Sequence, residues 1–239
     1  MKELRDFTMA RVGLGRAGNS LPTRELLDFQ LAHARARDAV HFVLDSEQIC
    51  REFQTGGWEV LRVHSAAHDR SQYLRRPDLG RRLDAVSLRS LQERHGDFDV
   101  VFVIADGLSA LAVHRHALEL VNHLRGRVAG QIAPIVIAEQ ARVAIADEIG
   151  LALNAKLAVI LIGERPGLSS PDSLGAYLTW APRPGRTDAE RNCISNIRPE
   201  GIGTAAAAEL LAMLINAACV RQISGVALSA EIAARDMIE

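Results

Sequence analysis

Three short runs govern what this chain can fold into: VVFVIA at Val100–Ala105, PIVIA at Pro134–Ala138 and LAVILIG at Leu157–Gly163. Each is apolar throughout, and each is rich in β-branched residues. A strand with one wet face alternates apolar and polar residues. A strand with no polar position needs cover on both faces. Segments with helical spacing follow the first two runs, ALAVHRHALELVNHL and then ARVAIADEIGLAL. Strands that alternate with helices imply a parallel sheet between two helical layers. GAYLTWAP and RNCISNI are further strand candidates, and TAAAAELLAMLINAACV closes the unit as a buried, alanine-rich helix.

Residues 1 to 95 differ in character. They are more polar, read as mostly helical, and are broken by the turn RRPDLGRR near Pro77 and Gly80. The expected architecture is therefore α/β. A Rossmann-like, three-layer domain with a parallel sheet occupies residues 96–239, behind a smaller, mostly helical N-terminal domain at residues 1–95.

Composition narrows the function classes. The 239 residues carry a net charge of −1, which excludes general affinity for nucleic acid. Basic residues do cluster between Arg70 and Arg89, interrupted by Asp78 and Asp84. That run is either a local anion or partner site or a solvated face. Cys50, Cys193 and Cys219 are too few and too scattered for a disulfide framework, so a reducing cytosol is expected. No signal-peptide core appears at the start. The late alanine-rich run is too short for a bilayer span and is interrupted by Glu209 and Asn216.

One motif points elsewhere. GLGRAGNS, Gly13 to Ser20, fits the G-x-G-x-x-G spacing of a dinucleotide-binding turn. That turn needs a strand before it and a helix directly after it. The segment before it, MKELRDFTMARV, is charged and looks helical. Pro22 interrupts the entry to the next helix, where Thr23 is an N-cap candidate and Leu26, Leu27, Phe29, Leu31 and Ala34 form a rough stripe. Gly13, Gly15 and Gly18 thus read as a loop between two helical pieces that lets elements pack closely, and not as a nicotinamide site.

In open α/β sheets, ligands bind beyond the carboxyl ends of the strands. That rule selects Asp106–Ser109 and Gly163–Gly167. Ser109 is a helix-cap candidate, and DGLSAL is not a G-x-S-x-G nucleophile elbow. Glu164 follows a buried strand directly. It is either an acceptor for a ligand's amides or hydroxyls, or a partner of Arg165 or a turn. The loop GLSSPDSLGAYL offers amides and hydroxyls to a polar ligand, or faces solvent. His116, Glu119 and His123 share one helical face. With no HExxH and no cysteine pair at ligand spacing, they read as a solvated face and not as a metal site. Cys193 reads as a buried structural thiol. On residues alone the chain is an α/β protein with a ligand at the sheet's crest, compatible with a stand-alone small-molecule binder or regulator.

A set of stretches in fixed order adds a resemblance: RVGLGRAG, YLRRPDLGRRL, VVFVIADGLSALAV, ARVAIADEIG, VILIGERPGLSSPDSLGAYLTW and ERNCISNIRPEG. Together they resemble the small (light) subunit of ethanolamine ammonia-lyase over nearly the whole chain. The resemblance implies conversion of ethanolamine to acetaldehyde and ammonia by a radical mechanism with adenosylcobalamin. It implies a large (heavy) subunit that holds the substrate, and cobalamin bound at the interface between the two subunits. It transfers three cobalamin contacts: Val143 in ARVAIADEIG, Glu164 in GERPG and Cys193 in RNCISN. It implies no catalytic acid or base and no metal ligand in this chain. D-x-H-x-x-G, which supplies a protein histidine to cobalt in other cobalamin enzymes, occurs around none of the eight histidines. The expected location is the cytoplasm, free or inside a bacterial microcompartment. The N-terminal extension that some members carry has no counterpart here, which favours the free form.

Overall fold

The computed structural model describes Phe7 and residues 10–236. In chain order these form α1 (Thr23–His41), α2 (Ser46–Thr55), β1 (Val60–His64), α3 (Arg70–Arg75), α4 (Ala85–Gln92), β2 (Phe98–Ala105), α5 (Ala110–Leu124) and β3 (Ile135–Glu139). There follow α6 (Ile145–Leu153), β4 (Ala155–Gly163), β5 (Leu174–Trp180), β6 (Arg191–Ile197), α7 (Thr204–Arg221) and α8 (Val226–Asp236).

One sheet of six strands runs through the molecule in the order β1-β3-β2-β4-β5-β6. The predicted apolar runs are its centre. β2 and β4 pair in parallel from Phe98↔Ala155 to Ala105↔Ile162. Successive side chains serve opposite layers, as a pleat requires. Val100, Phe102 and Ile104 join Leu157, Val159 and Leu161 in a core shared with α2, α5 and α7. Val101, Val103 and Ala105 join Ala158, Ile160 and Ile162 in a second core with α4 and α6. This is the α/β layering expected.

The sheet is mixed, however, and not wholly parallel. β5 runs antiparallel to β4, and β6 antiparallel to β5. The reason lies in the connection. The loop from Glu164 to Ser173 contains no helix, and a parallel crossover needs a dozen or more residues, usually with a helix among them. The chain turns straight back instead. A second difference is β1, which lies inside the segment read as mostly helical and pairs in parallel with β3. As an edge strand it is only partly buried, so it lacks the unbroken apolar run that marks β2 to β4.

The N-terminal glycine stretch forms a loop in which Gly13, Gly15 and Gly18 all have positive φ. The helical piece expected ahead of it lies largely outside the described residues. α1 begins at Thr23, but its N-cap is Pro22, with no side-chain cap. Thr23 is therefore the first helical residue. The apolar stripe is not core either: Leu26, Leu27, Phe29 and Leu31 are exposed, and Ala39 is the helix's one buried residue. α7 buries one face only, led by Ala207, Ala208, Leu211 and Ile215, against α5 and the β5–β6 end of the sheet. By length and hydropathy it is the one described helix that would span a membrane.

Candidate functional site

The crest is built on a close approach of two backbones. Gly107 follows β2 and Gly163 ends β4. A Cβ on Gly163 would lie 2.0 Å from the Ser109 carbonyl oxygen, and one on Gly107 would lie 2.2 Å from that of Gly163. Gly107 also has a φ of +56°, where L side chains are strained. The Leu108 amide donates to the Gly163 carbonyl at 2.9 Å, which locks the two strand ends together.

Asp106 organises the loops around this contact. It is 2% exposed. Its carboxylate accepts from the amides of Gly107 (2.9 Å), Gln140 (3.0 Å) and Ala141 (2.9 Å), tying the end of β2 to the loop after β3. Arg70 completes the set at 3.3 Å and also donates to the Gly107 carbonyl at 2.8 Å. Burial pushes the Asp106 pKa up to about 6, against the downward pull of the amides and Arg70.

Between the loops lies a cleft of about 390 Å³. Its walls are Tyr73, Gly107, Leu108, Arg142, Val143, Ile162, Gly163, Glu164, Arg165 and Tyr177. Tyr73 is buried and donates its hydroxyl to the Ala141 carbonyl at 3.1 Å. The guanidinium groups of Arg70 and Arg142 lie over its ring, 4.8 and 4.2 Å from the centroid. Burial raises the phenol pKa of both Tyr73 and Tyr177 well above the ordinary value, so both stay neutral.

Glu164 sits where the strand was expected to deliver it. Its Oε2 accepts from Ser173 Oγ at 2.5 Å and from the Asn196 amide at 3.2 Å. Its Oε1 takes no hydrogen bond among the described residues. Gly175 lies opposite, and a Cβ there would come within 2.9 Å of that oxygen. The alternative partner Arg165 does not pair with it. Val143, in the turn that opens α6, lines the same cleft. Cys193 is not among the lining residues. It lies on β6, directly across from Tyr177 on β5, so it borders the cleft through that ring. Contrary to the buried thiol expected, it is exposed, with Sγ 3.2 Å from Ser195 Oγ.

Other expectations change in detail. Ser109 precedes α5 but makes no side-chain cap, because its hydroxyl donates to the Pro171 carbonyl at 2.8 Å. The Ser- and Pro-rich loop turns polar groups inward: Asp172 meets Arg115 at 2.5 Å, and Arg198 donates to the Ser169 carbonyl at 2.9 Å. His116 belongs to that network, 3.8 Å from Asp172 and 6% exposed, and not to a solvated face. Glu119 and His123 do face solvent. No group of three potential ligands among the described residues would hold a metal ion. Sequence reasoning missed Tyr73, Arg142 and Tyr177 as cleft walls. Arg142 and Tyr177 each lie within a stretch it quoted, but no spacing rule marks a residue that a loop brings in from elsewhere.

Fold and cleft together define a class: a mixed α/β sheet whose strand ends open on a ligand-sized cleft, walled by a carboxylate, guanidinium groups and aromatic rings. The chain matches the family model of the ethanolamine ammonia-lyase light chain over residues 1–229. It is 57% identical over 232 residues to the ethanolamine ammonia-lyase small subunit of Ralstonia nicotianae, covering 94% of this chain and 86% of that one. The small subunit of Pseudomonas paraeruginosa is 56% identical over 235 residues, with 95% and 86% covered. That of Pseudomonas syringae pv. tomato is 54% identical over 236 residues, with 96% and 82% covered. The chain belongs to the ethanolamine ammonia-lyase light-chain family, the small subunits of that lyase.

Proposed function

We propose that this chain is the small subunit of an adenosylcobalamin-dependent ethanolamine ammonia-lyase. It binds cobalamin through the crest cleft, where the cleft meets the large subunit, and it works in the cytoplasm, free or within a microcompartment. The observation that carries the reading is convergence. Val143 and Glu164, far apart in the chain, line one cleft, and Cys193 stands beside Tyr177 at its border.

The residues present fit an amide-fringed macrocycle. Glu164 Oε1 is an acceptor without a donor. Leu108, Val143 and Ile162 supply apolar contact, and Tyr73 and Tyr177 supply flat surface. The cofactor, once bound, supplies radicals by homolysis of its cobalt–carbon bond. The chain's own residues bind, orient and shield. Val143 makes apolar contact, Glu164 accepts hydrogen bonds from side-chain amides, and Cys193 is a contact and not a nucleophile. No residue here acts on ethanolamine, which the large subunit holds.

The test is reconstitution. The purified chain alone is expected to yield no acetaldehyde from ethanolamine and adenosylcobalamin, and the co-purified two-subunit complex is expected to yield it. Acetaldehyde from the chain alone, or none from an assembled complex supplied with cofactor, overturns the reading.

A further inference from the structure

A second cavity of about 460 Å³ adjoins the crest cleft, and the two share Arg142 and Val143 as wall residues. Four arginines line it: Arg81, Arg142, Arg186 and Arg191. Three acids answer them. Asp147 takes both terminal nitrogens of Arg191, at 2.8 and 2.7 Å. Glu190 pairs with Arg186. Asp188 lies 3.7 Å from Arg191 Nε. Arg81 and Arg142 have no carboxylate partner among the described residues, so the cavity keeps an excess of positive charge.

Two of its donors are also unanswered. The Nε atoms of Arg142 and Arg191 are buried without a hydrogen-bond partner. The Arg191 side chain is only 3% exposed, so solvent does not reach it freely. Buried N–H groups without acceptors are rare in native proteins and call for an explanation. The N-terminus of α6 opens on the same wall: its N-cap, Ala144, lines the cavity and offers no side-chain cap. Helix N-termini favour anions, and guanidinium forks favour phosphate oxygens.

The geometry points to an anion subsite in this cavity that takes a phosphate-class group. A phosphodiester suits it, since its single negative charge matches the charge excess and its oxygens answer several donors at once. Two sources share that chemistry. One is the phosphodiester of the cofactor's nucleotide loop, with the remainder of the molecule in the adjoining cleft; this source rests on the cobalamin reading above. The other is free phosphate.

The experiment uses two probes and two variants. The assembled two-subunit complex, as wild type, Arg81→Ala and Arg142→Ala, is titrated by visible absorbance with cyanocobalamin and with dicyanocobinamide, which lacks the nucleotide loop and its phosphate. The full chain alone is titrated with inorganic phosphate and followed by ³¹P line width. The expected result is about a ten-fold loss of cyanocobalamin affinity in each variant, with cobinamide affinity unchanged. Phosphate broadening in the wild type should disappear in Arg142→Ala. Phosphate binding lost in the variants without corrinoid discrimination assigns the site to free phosphate. No phosphate binding, together with equal effects on both corrinoids, overturns the subsite. A wild-type complex that binds neither corrinoid overturns the cobalamin reading and leaves the phosphate titration to decide the subsite alone.

Discussion

Asp106 and Glu164 show how two acids at the ends of neighbouring strands acquire opposite duties. Asp106 faces inward and satisfies three amides and a guanidinium. Asp106→Asn should cost on the order of 2–5 kcal/mol, because the new NH₂ turns a donor toward donors. The pH dependence follows from its raised pKa. The folded chain holds this proton more tightly than the unfolded chain, whose carboxyl titrates near ~3.9. The group's contribution is therefore fully present below about pH 4 and is lost as pH rises through about 6. In urea unfolding series, the stability gap between wild type and Asp106→Asn should narrow from pH 4 to 7. A gap that widens would mean that the hydrogen bonds outweigh burial. Glu164 instead keeps one oxygen for a ligand. Glu164→Ala should weaken adenosylcobalamin binding by an amount worth ~1–3 kcal/mol, roughly five- to hundred-fold, with the ethanolamine KM nearly unchanged. A cofactor titration of the assembled variant complex checks this, and unchanged affinity would remove Glu164 from the site. Of these residues, Glu164 is legible in the sequence from its place after an apolar strand. Val143 and Cys193 come only through family resemblance, since nothing local distinguishes them. Asp106 is legible as a crest residue but not as a hub, because its partners come from two other loops.

At the scale of elements, β2, β3 and β4 are legible because burial on both faces leaves an unmistakable apolar run. β1 is not, since an edge strand with a wet side resembles ordinary coil. The direction of β5 depends on the helix-free loop before it, a feature of the connection and not of the strand. The Gly107–Gly163 contact is likewise invisible to pattern, because it joins turns far apart in sequence. Gly163→Ala would press a methyl group into the backbone of Asp106 and Ser109. Overpacking of this kind costs ~1–3 kcal/mol or more, a fall in Tm of about 2–4 °C per kcal/mol at this chain length. A thermal melt of the variant tests this, and an unchanged Tm would show that the crest yields more easily than its distances suggest.

For the molecule as a whole, the cleft lies open at one end of the sheet, and the arginine-rich YLRRPDLGRR segment lies beside it, with Tyr73 in its wall and Arg81 in that of the second cavity. If the large subunit covers this end, backbone amides of the crest loops and of that segment should exchange more slowly in the complex than in the free chain. Equal exchange in both would place the partner on another face. The overall layering is legible in the sequence; the partner-facing end is legible only where apolar strands stop.

The strand order has a temporal consequence as well. β1 leaves the ribosome early, yet its hydrogen-bonding neighbour is β3, and Val60 finds Ile135 only after β2 and α5 have been made. The walls of the cleft come from five separate parts of the chain, from Tyr73 to Tyr177. Pairings at such separation form late and slowly, because loop closure comes before the contacts that reward it. A nascent chain therefore has a sheet centre long before it has anywhere to hold a ligand, and cofactor added during synthesis has nothing to template until β5 is in place.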